Sequence, residues 1–272
     1  MAEQVQTPEW EGKGVDYERY AMYRLFVVLV KRFGWQRVLE IPAGGEKAMP
    51  SLYSLPFGAM GCQVTLANPV ARSLLSWERL GYPVTSVVLP DITATGLEAG
   101  QFDLVWNFMT LARVRDKEAL VQEMARLTSK QMLFVAVNRF NLGFFSHRMV
   151  HRYSGIVWNH GDVAFMNPFY TRRWLQGQGV RVVAQGVVDA PPYPDSLGFR
   201  DLRLHRRNED LHQLAWESRT VDWMQKGVYP RKLFWLSLGE RLPLPWPLKL
   251  FYAHLFWIVV EKVAEGVDVA GY

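Results

Sequence analysis

Three histidines and two carboxylates gather in the middle of the chain, and their types suit proton transfer. His147 and His151 are four apart in FFSHRMVHRY, and His160 and Asp162 follow in His160-Gly161-Asp162. Asp195 lies beyond a proline-rich stretch. Imidazole and carboxylate are the groups that accept or release a proton near neutral pH, so His160, Asp162 and Asp195 are the candidates to orient or deprotonate an acceptor. Four-residue spacing puts His147 and His151 on one face of a helix, where they and Trp158 are expected to touch substrate, ordinary polar surface being the alternative for the histidines. No metal is expected there. A zinc protease carries glutamate after its first histidine, whereas this chain has Arg148, and Arg148 and Arg152 would repel a cation. Prolines in Asp189-Ala-Pro-Pro-Tyr-Pro-Asp195 stiffen the loop holding Tyr193 and Asp195, a second substrate-side candidate pair; the same loop also reads as a plain rigid linker.

A second group lies between Arg37 and Val70: RVLEIPAGG, then GCQVTLANPV. Glu40 ends a buried strand and Ala43-Gly44 follow in a tight turn, a pattern for a nucleotide-type cofactor approaching backbone at a strand's carboxyl end. The second strand, Gln63 to Ala67, runs into Asn68-Pro69. A third, Pro83 to Leu89, delivers Asp91, which is equally suited to a plain turn.

Elements of alternating type must position these residues. Met22, Leu25, Phe26, Leu29 and Phe33 recur at helical spacing, predicting a helix from Asp16, its cap, to Phe33, closed by Gly34. Further helices are expected over Ala71 to Leu80, around Leu120 to Leu127 and over Pro168 to Gln178. Strands are expected at Val38 to Ile41, Phe102 to Phe108, Met132 to Val137 and Val180 to Val188. This is an α/β pattern of the doubly wound, Rossmann-like kind. The last block, Lys249 to Lys262, reads as a final antiparallel strand because Trp257 to Val260 is aromatic and β-branched. An interfacial helix displaying Trp246, Phe251 and Trp257 is the alternative. The uncharged run Leu250 to Val260 is shorter than the ~20 residues that span a bilayer. The chain is expected to be one domain over 1–272, with substrate-side insertions at 141–167 and 190–247, the latter a helical cap.

Residues 16–140 resemble the class I S-adenosylmethionine-dependent methyltransferases. In that family the first-strand acid is followed by three alternating glycines. Glu40 and Gly44 match, whereas Pro42 and Glu46 stand at the outer glycine positions, and Asn68 replaces the usual ribose-binding acid. The resemblance implies S-adenosylmethionine as cofactor. By position it also implies a cleft formed by Glu40, Ala43, Gly44, Asn68 and Asp91, with Trp106 and Asn107 at the fourth-strand exit and Tyr20 closing over the methionine end. The implied reaction is in-line methyl transfer to a small-molecule acceptor. The alternative is a catalytically inactive, methyltransferase-like binding or scaffold protein. A nicotinamide dehydrogenase is the weaker reading, because Glu46 would repel a pyrophosphate.

Composition bounds the partners. A charge of +5, from 31 basic and 26 acidic residues without a basic tract, argues against nucleic acid. One cysteine, Cys62, excludes an internal disulfide and fits a reducing compartment. MAEQVQTPEWEG lacks the pattern of a signal peptide, so a cytoplasmic location is expected. Aromatics at 14% raise either core packing or an aromatic-lined pocket, which would suit a small aromatic or anionic metabolite.

Overall fold

A computed structural model describes residues 9–45, 47, 49–155, 157–192 and 216–263. Glu46, Tyr193 and Asp195 lie outside the described residues.

Strand β1 (Glu9–Trp10) leads into helix α1 (Lys13–Phe33), followed by β2 (Arg37–Glu40), α2 (Leu55–Ala59), β3 (Gln63–Ala67), α3 (Ala71–Leu80), β4 (Val84–Val87) and β5 (Phe102–Phe108). Then come α4 (Lys117–Leu127), β6 (Thr128–Val137), α5 (Leu142–Ser154), α6 (Pro168–Gln176) and β7 (Val180–Val188). The last described part holds β8 (Trp216–Glu217), α7 (Arg219–Lys226), α8 (Arg231–Leu236), α9 (Leu238–Arg241), α10 (Trp246–Lys249) and β9 (Leu255–Lys262).

Among the described residues seven strands form one sheet in the order β4-β3-β2-β5-β6-β9-β7. Neighbours from β4 to β6 pair in parallel, and β9 runs antiparallel between β6 and β7. The central strands are apolar on both faces because each face is covered. One core packs α1 and α2 on the sheet through Phe26, Phe57 and Trp106, with the Phe26 and Phe57 rings stacked at 4.4 Å. The other packs α4 and α6 through Leu120, Met124 and Leu175.

The expected doubly wound alternation of strands and helices and the final antiparallel strand are observed. Trp257 lies within β9 and donates from Nε1 to the Val187 carbonyl at 3.2 Å, so the interfacial-helix alternative is overturned for it. Gly186 makes room for that ring, since a Cβ there would stand 2.9 Å from it. Gly34 and Gly81 close α1 and α3 in left-handed backbone, as glycine allows at no steric cost. Asp16 corrects one detail. The cap of α1 is Gly12, and Asp16 sits buried in the first turn, 3.2 Å from Arg219. Burial pushes its carboxyl up to about 6, against the pull of Arg219.

The C-terminal helices lean on α1. Tyr17 donates its hydroxyl to the Leu236 carbonyl at 3.2 Å and to Glu240 at 3.0 Å, and Arg219 donates to the Glu11 carbonyl. No described helix is long and apolar enough to cross a membrane.

Candidate functional site

The carboxyl ends of β2, β3 and β5 meet at one edge of the sheet, where a parallel fold leaves its crevice. Chain leaving β2 stays pinned there: Ile41 donates its N–H to the Trp106 carbonyl at 2.9 Å, and Ala43 to that of Ala67 at 2.7 Å. Ser51 donates Oγ–H to the Ala43 carbonyl (3.0 Å) and accepts from the Val70 N–H (2.9 Å), tying the turn to the start of α3. At Gly44 a Cβ would fall 2.9 Å from the Asn68 carbonyl. Only a bare backbone passes there.

Glu40 is buried beneath this turn. It accepts the Ser54 hydroxyl at 2.6 Å, and Ser54 accepts Trp106 Nε1–H at 3.0 Å. Burial raises the Glu40 carboxyl to about 8, opposed by the Ser54 bond and the charge of Arg19, so it is mostly neutral at pH 7. The Trp106 ring packs in the core against Phe26 and Phe57, and acts on the turn through Ser54 rather than by lining the cleft. Asn107 faces the other side of β5, buried under α4, where Nδ2 meets Met124 Sδ at 3.3 Å. Period-two alternation accounts for the opposite faces of these two neighbours.

Asn68 takes a left-handed conformation, φ 52°. Its Nδ2 donates to the Leu89 carbonyl at 3.0 Å and its Oδ1 accepts the Leu89 N–H at 2.7 Å, so both ends of the amide clasp the chain leaving β4. Asp91 is exposed and folds its Oδ1 onto the Thr93 N–H and hydroxyl, both at 2.7 Å. Those bonds hold its carboxyl below the usual range.

The pattern along the chain does not reveal a buried ionic network above the same edge. Arg19 pairs with Glu11 at 2.6 Å, donates to the Met49 carbonyl at 2.7 Å and covers the Tyr53 ring at 4.4 Å. Glu18 accepts Lys47 at 2.8 Å and the Tyr53 hydroxyl. Burial would raise the Glu18 carboxyl, but Lys47, Tyr53 and Arg19 together outweigh it and hold it below its ordinary value. Tyr53 stacks on Phe108 at 4.0 Å, at the exit of β5. Tyr20 lies beside the network, packed on Tyr229 at 5.2 Å. The signal available in the sequence is the Tyr17-Glu18-Arg19-Tyr20 run, which sets two charges on a helix that also packs the core. A cavity of about 10 Å³ between Arg19, Tyr53, Thr220 and Tyr229 has room for roughly one water and no cofactor.

A second edge cluster joins Asp189 to His254, which precedes β9, with Nδ1 and Oδ2 2.9 Å apart. Burial raises the Asp189 carboxyl despite the histidine.

The structure brings the four residues His147, His151, Trp158 and His160 together. Nε2 of His151 lies 3.0 Å from that of His147 and 3.2 Å from that of His160, and the Trp158 ring stands 4.8 to 5.9 Å from the three imidazoles. Asn141 caps α5 with its side-chain oxygen on the Gly143 N–H, which sets the helix phase of the first two histidines. His160 is placed by the next residue. Gly161 sits at φ +92°, where a Cβ would be 2.5 Å from the Ala112 carbonyl. Asp162 donates its N–H to that carbonyl at 2.7 Å, and its carboxylate caps the Ala164 N–H at 2.9 Å, pointing into solvent. Of the two arginines expected to exclude a cation, Arg148 covers the Trp158 face at 5.1 Å, beside the trio, and Arg152 is exposed.

Comparison with known proteins bears on the fold. Residues 43–136 match the family model described as a methyltransferase domain. The fold is similar to that of the [4+2]-cyclase SpnF, at 14% identity and a TM-score of 0.52, covering 95% of this chain and 87% of that one. The MccD protein is similar at 10% identity and a TM-score of 0.51, covering 90% and 96%. Magnesium protoporphyrin IX methyltransferase from Synechocystis, solved with bound SAH, is similar at 15% identity and a TM-score of 0.48, covering 66% and 80%. No curated protein matches the sequence.

Proposed function

We infer that this chain, whose core is a methyltransferase domain of the class I S-adenosylmethionine-dependent superfamily, transfers a methyl group to a small-molecule acceptor. The observation that carries the reading is the family match over 43–136, which spans the Gly44 turn, the Asn68 corner and the exits of β4 and β5. Gly44 lets the turn after β2 pass against the β3 exit, since a Cβ there would stand 2.9 Å from the Asn68 carbonyl, and this keeps bare backbone at the edge where the cofactor would lie. When bound, S-adenosylmethionine supplies an electrophilic methyl group for in-line displacement by the acceptor.

The backbone of Ala43 and Gly44 would flank the cofactor, with Asp91 toward the adenine end and Lys47 and Tyr20 toward the methionine end. Glu40 supports the turn from below through Ser54. Acceptor orientation falls to Trp158 and the histidines beside it, and the proton leaves through a neighbouring base. The Asp189–His254 pair joins His160 and Asp162 as a candidate, because it too stands at the carboxyl edge.

One observation favours the second reading, a methyltransferase-like protein without transfer activity. The Asn68 amide is engaged by Leu89 and does not present a free acid to a ribose. Calorimetric titration of the full chain with S-adenosylmethionine and its demethylated product separates the two. The transferase reading expects one site per chain, lost in Gly44→Val with the fold retained by circular dichroism. Absence of binding at millimolar ligand would overturn it.

A further inference from the structure

We propose that His147, His151 and His160 bind a divalent transition-metal ion of the zinc class through their Nε2 atoms. All three ligand atoms lie within 4.8 Å of one another, and the two close pairs are 3.0 and 3.2 Å apart. A tetrahedral zinc site with metal–nitrogen bonds of about 2.0–2.1 Å puts its ligand nitrogens about 3.3 Å apart; the two pairs made by His151 are already near that spacing, and the third, His147 to His160, lies within 4.8 Å and closes by a small turn of the rings.

Hydrogen bonding within the trio explains the convergence less well. A ring nitrogen carries either a proton or an in-plane lone pair, so Nε2 of His151 cannot donate to one neighbour while accepting from the other. Two N–H groups would have to share its single lone pair. A cation among three neutral imidazoles uses every lone pair.

The surroundings build the site rather than merely permit it. Two ligands are one helical turn apart on α5, fixed by the Asn141 cap. The third comes from a turn held by Gly161 against Ala112, and Trp158 braces it by donating Nε1–H to the Gly161 carbonyl at 2.8 Å. Three neutral nitrogens suit zinc, copper or nickel rather than magnesium or calcium, which take oxygen. Three protein ligands also leave a fourth position for water or a heteroatom of a small molecule, as in zinc sites that exchange ligands. The site stands whether or not the chain transfers methyl groups; with the ion bound, His160 is a ligand and the role of base falls to Asp162 or the Asp189–His254 pair.

The test uses the full chain without a histidine tag, stripped with chelator and titrated with Co²⁺, then with Zn²⁺ in competition. The expected result is one equivalent of cobalt, with the visible d–d bands of a nitrogen-ligated tetrahedral ion, displaced by zinc. His160→Ala and His147→Ala, checked for folding by circular dichroism, should each weaken binding beyond the roughly 10–100-fold loss that follows removal of an outer partner. Failure of the wild-type chain to develop those bands, or unchanged uptake in both folded variants, overturns the proposal. If a variant does not fold, the wild-type spectrum and zinc stoichiometry decide.

Discussion

The side-chain amide of Asn68 pairs with the backbone of Leu89 at both ends, 3.0 Å from Nδ2 to the carbonyl and 2.7 Å from the N–H to Oδ1. It works as a two-bond clamp between the exits of β3 and β4. Aspartate at this position has no donor for the carbonyl and would set a charge against it. Asn68→Asp should therefore lower stability by about 1–3 kcal/mol in urea unfolding, the cost of leaving a buried polar group unpaired. It should not tighten cofactor binding, and a gain in affinity at unchanged stability would refute the clamp.

Glu40 predicts a pH dependence of stability. Its folded value of about 8 lies above the ordinary 4.5, so the folded chain holds a proton that the unfolded chain releases. Stability from this group is complete below pH 4.5 and declines as pH rises through 8. Glu40→Gln keeps an acceptor for Ser54 and removes the titration. The difference in stability between Glu40→Gln and wild type should shift in favour of the variant across that window, while Asp16 and Asp189 cancel in the comparison. A pH-independent difference would contradict the assignment.

Arg19→Met tests the buried ionic network. Glu11 would be left buried without its cation, and Glu18 would lose one of its neighbouring positive charges, leaving Lys47. Breaking a buried pair from one side costs about 3–5 kcal/mol, so the midpoint of urea unfolding should fall sharply. A loss below about 1 kcal/mol, the scale of an exposed pair, would mean that the network is solvated.

Gly161 and Gly155 make a matched pair. Both have positive φ, but a Cβ at Gly161 meets the Ala112 carbonyl at 2.5 Å, whereas nothing lies within 4 Å of one at Gly155. Gly155→Ala should cost about 1–2 kcal/mol from left-handed backbone alone. Gly161→Ala should cost more and displace His160, visible as changed histidine ring resonances in NMR. Equal effects on stability and spectra would mean that the Ala112 contact does not position His160.

The sheet was legible because each strand carries a short apolar run, and α1 and α3 end at Gly34 and Gly81, where glycine alone takes the left-handed turn freely. Asp16 was misplaced by one turn: Gly12 supplies the cap, and pairing with Arg219, over two hundred positions away, explains the acid's burial. Separations of 8 to 65 positions likewise hid the partners of Arg19, Lys47, Tyr53 and His254, since no local pattern says which charges will meet. For the histidines, helical spacing joined His147 to His151. The approach of His160 depends on Gly161 packing against Ala112, a tertiary contact that spacing does not encode.

The most direct test is a crystal structure of the full chain with S-adenosylhomocysteine. The account predicts the ligand at the carboxyl edge, its chain against Gly44, its adenine toward Asp91 and its sulfur facing the side of Trp158 and the histidines. Ligand bound away from Gly44, or a crystal grown in saturating ligand without it, would contradict the account.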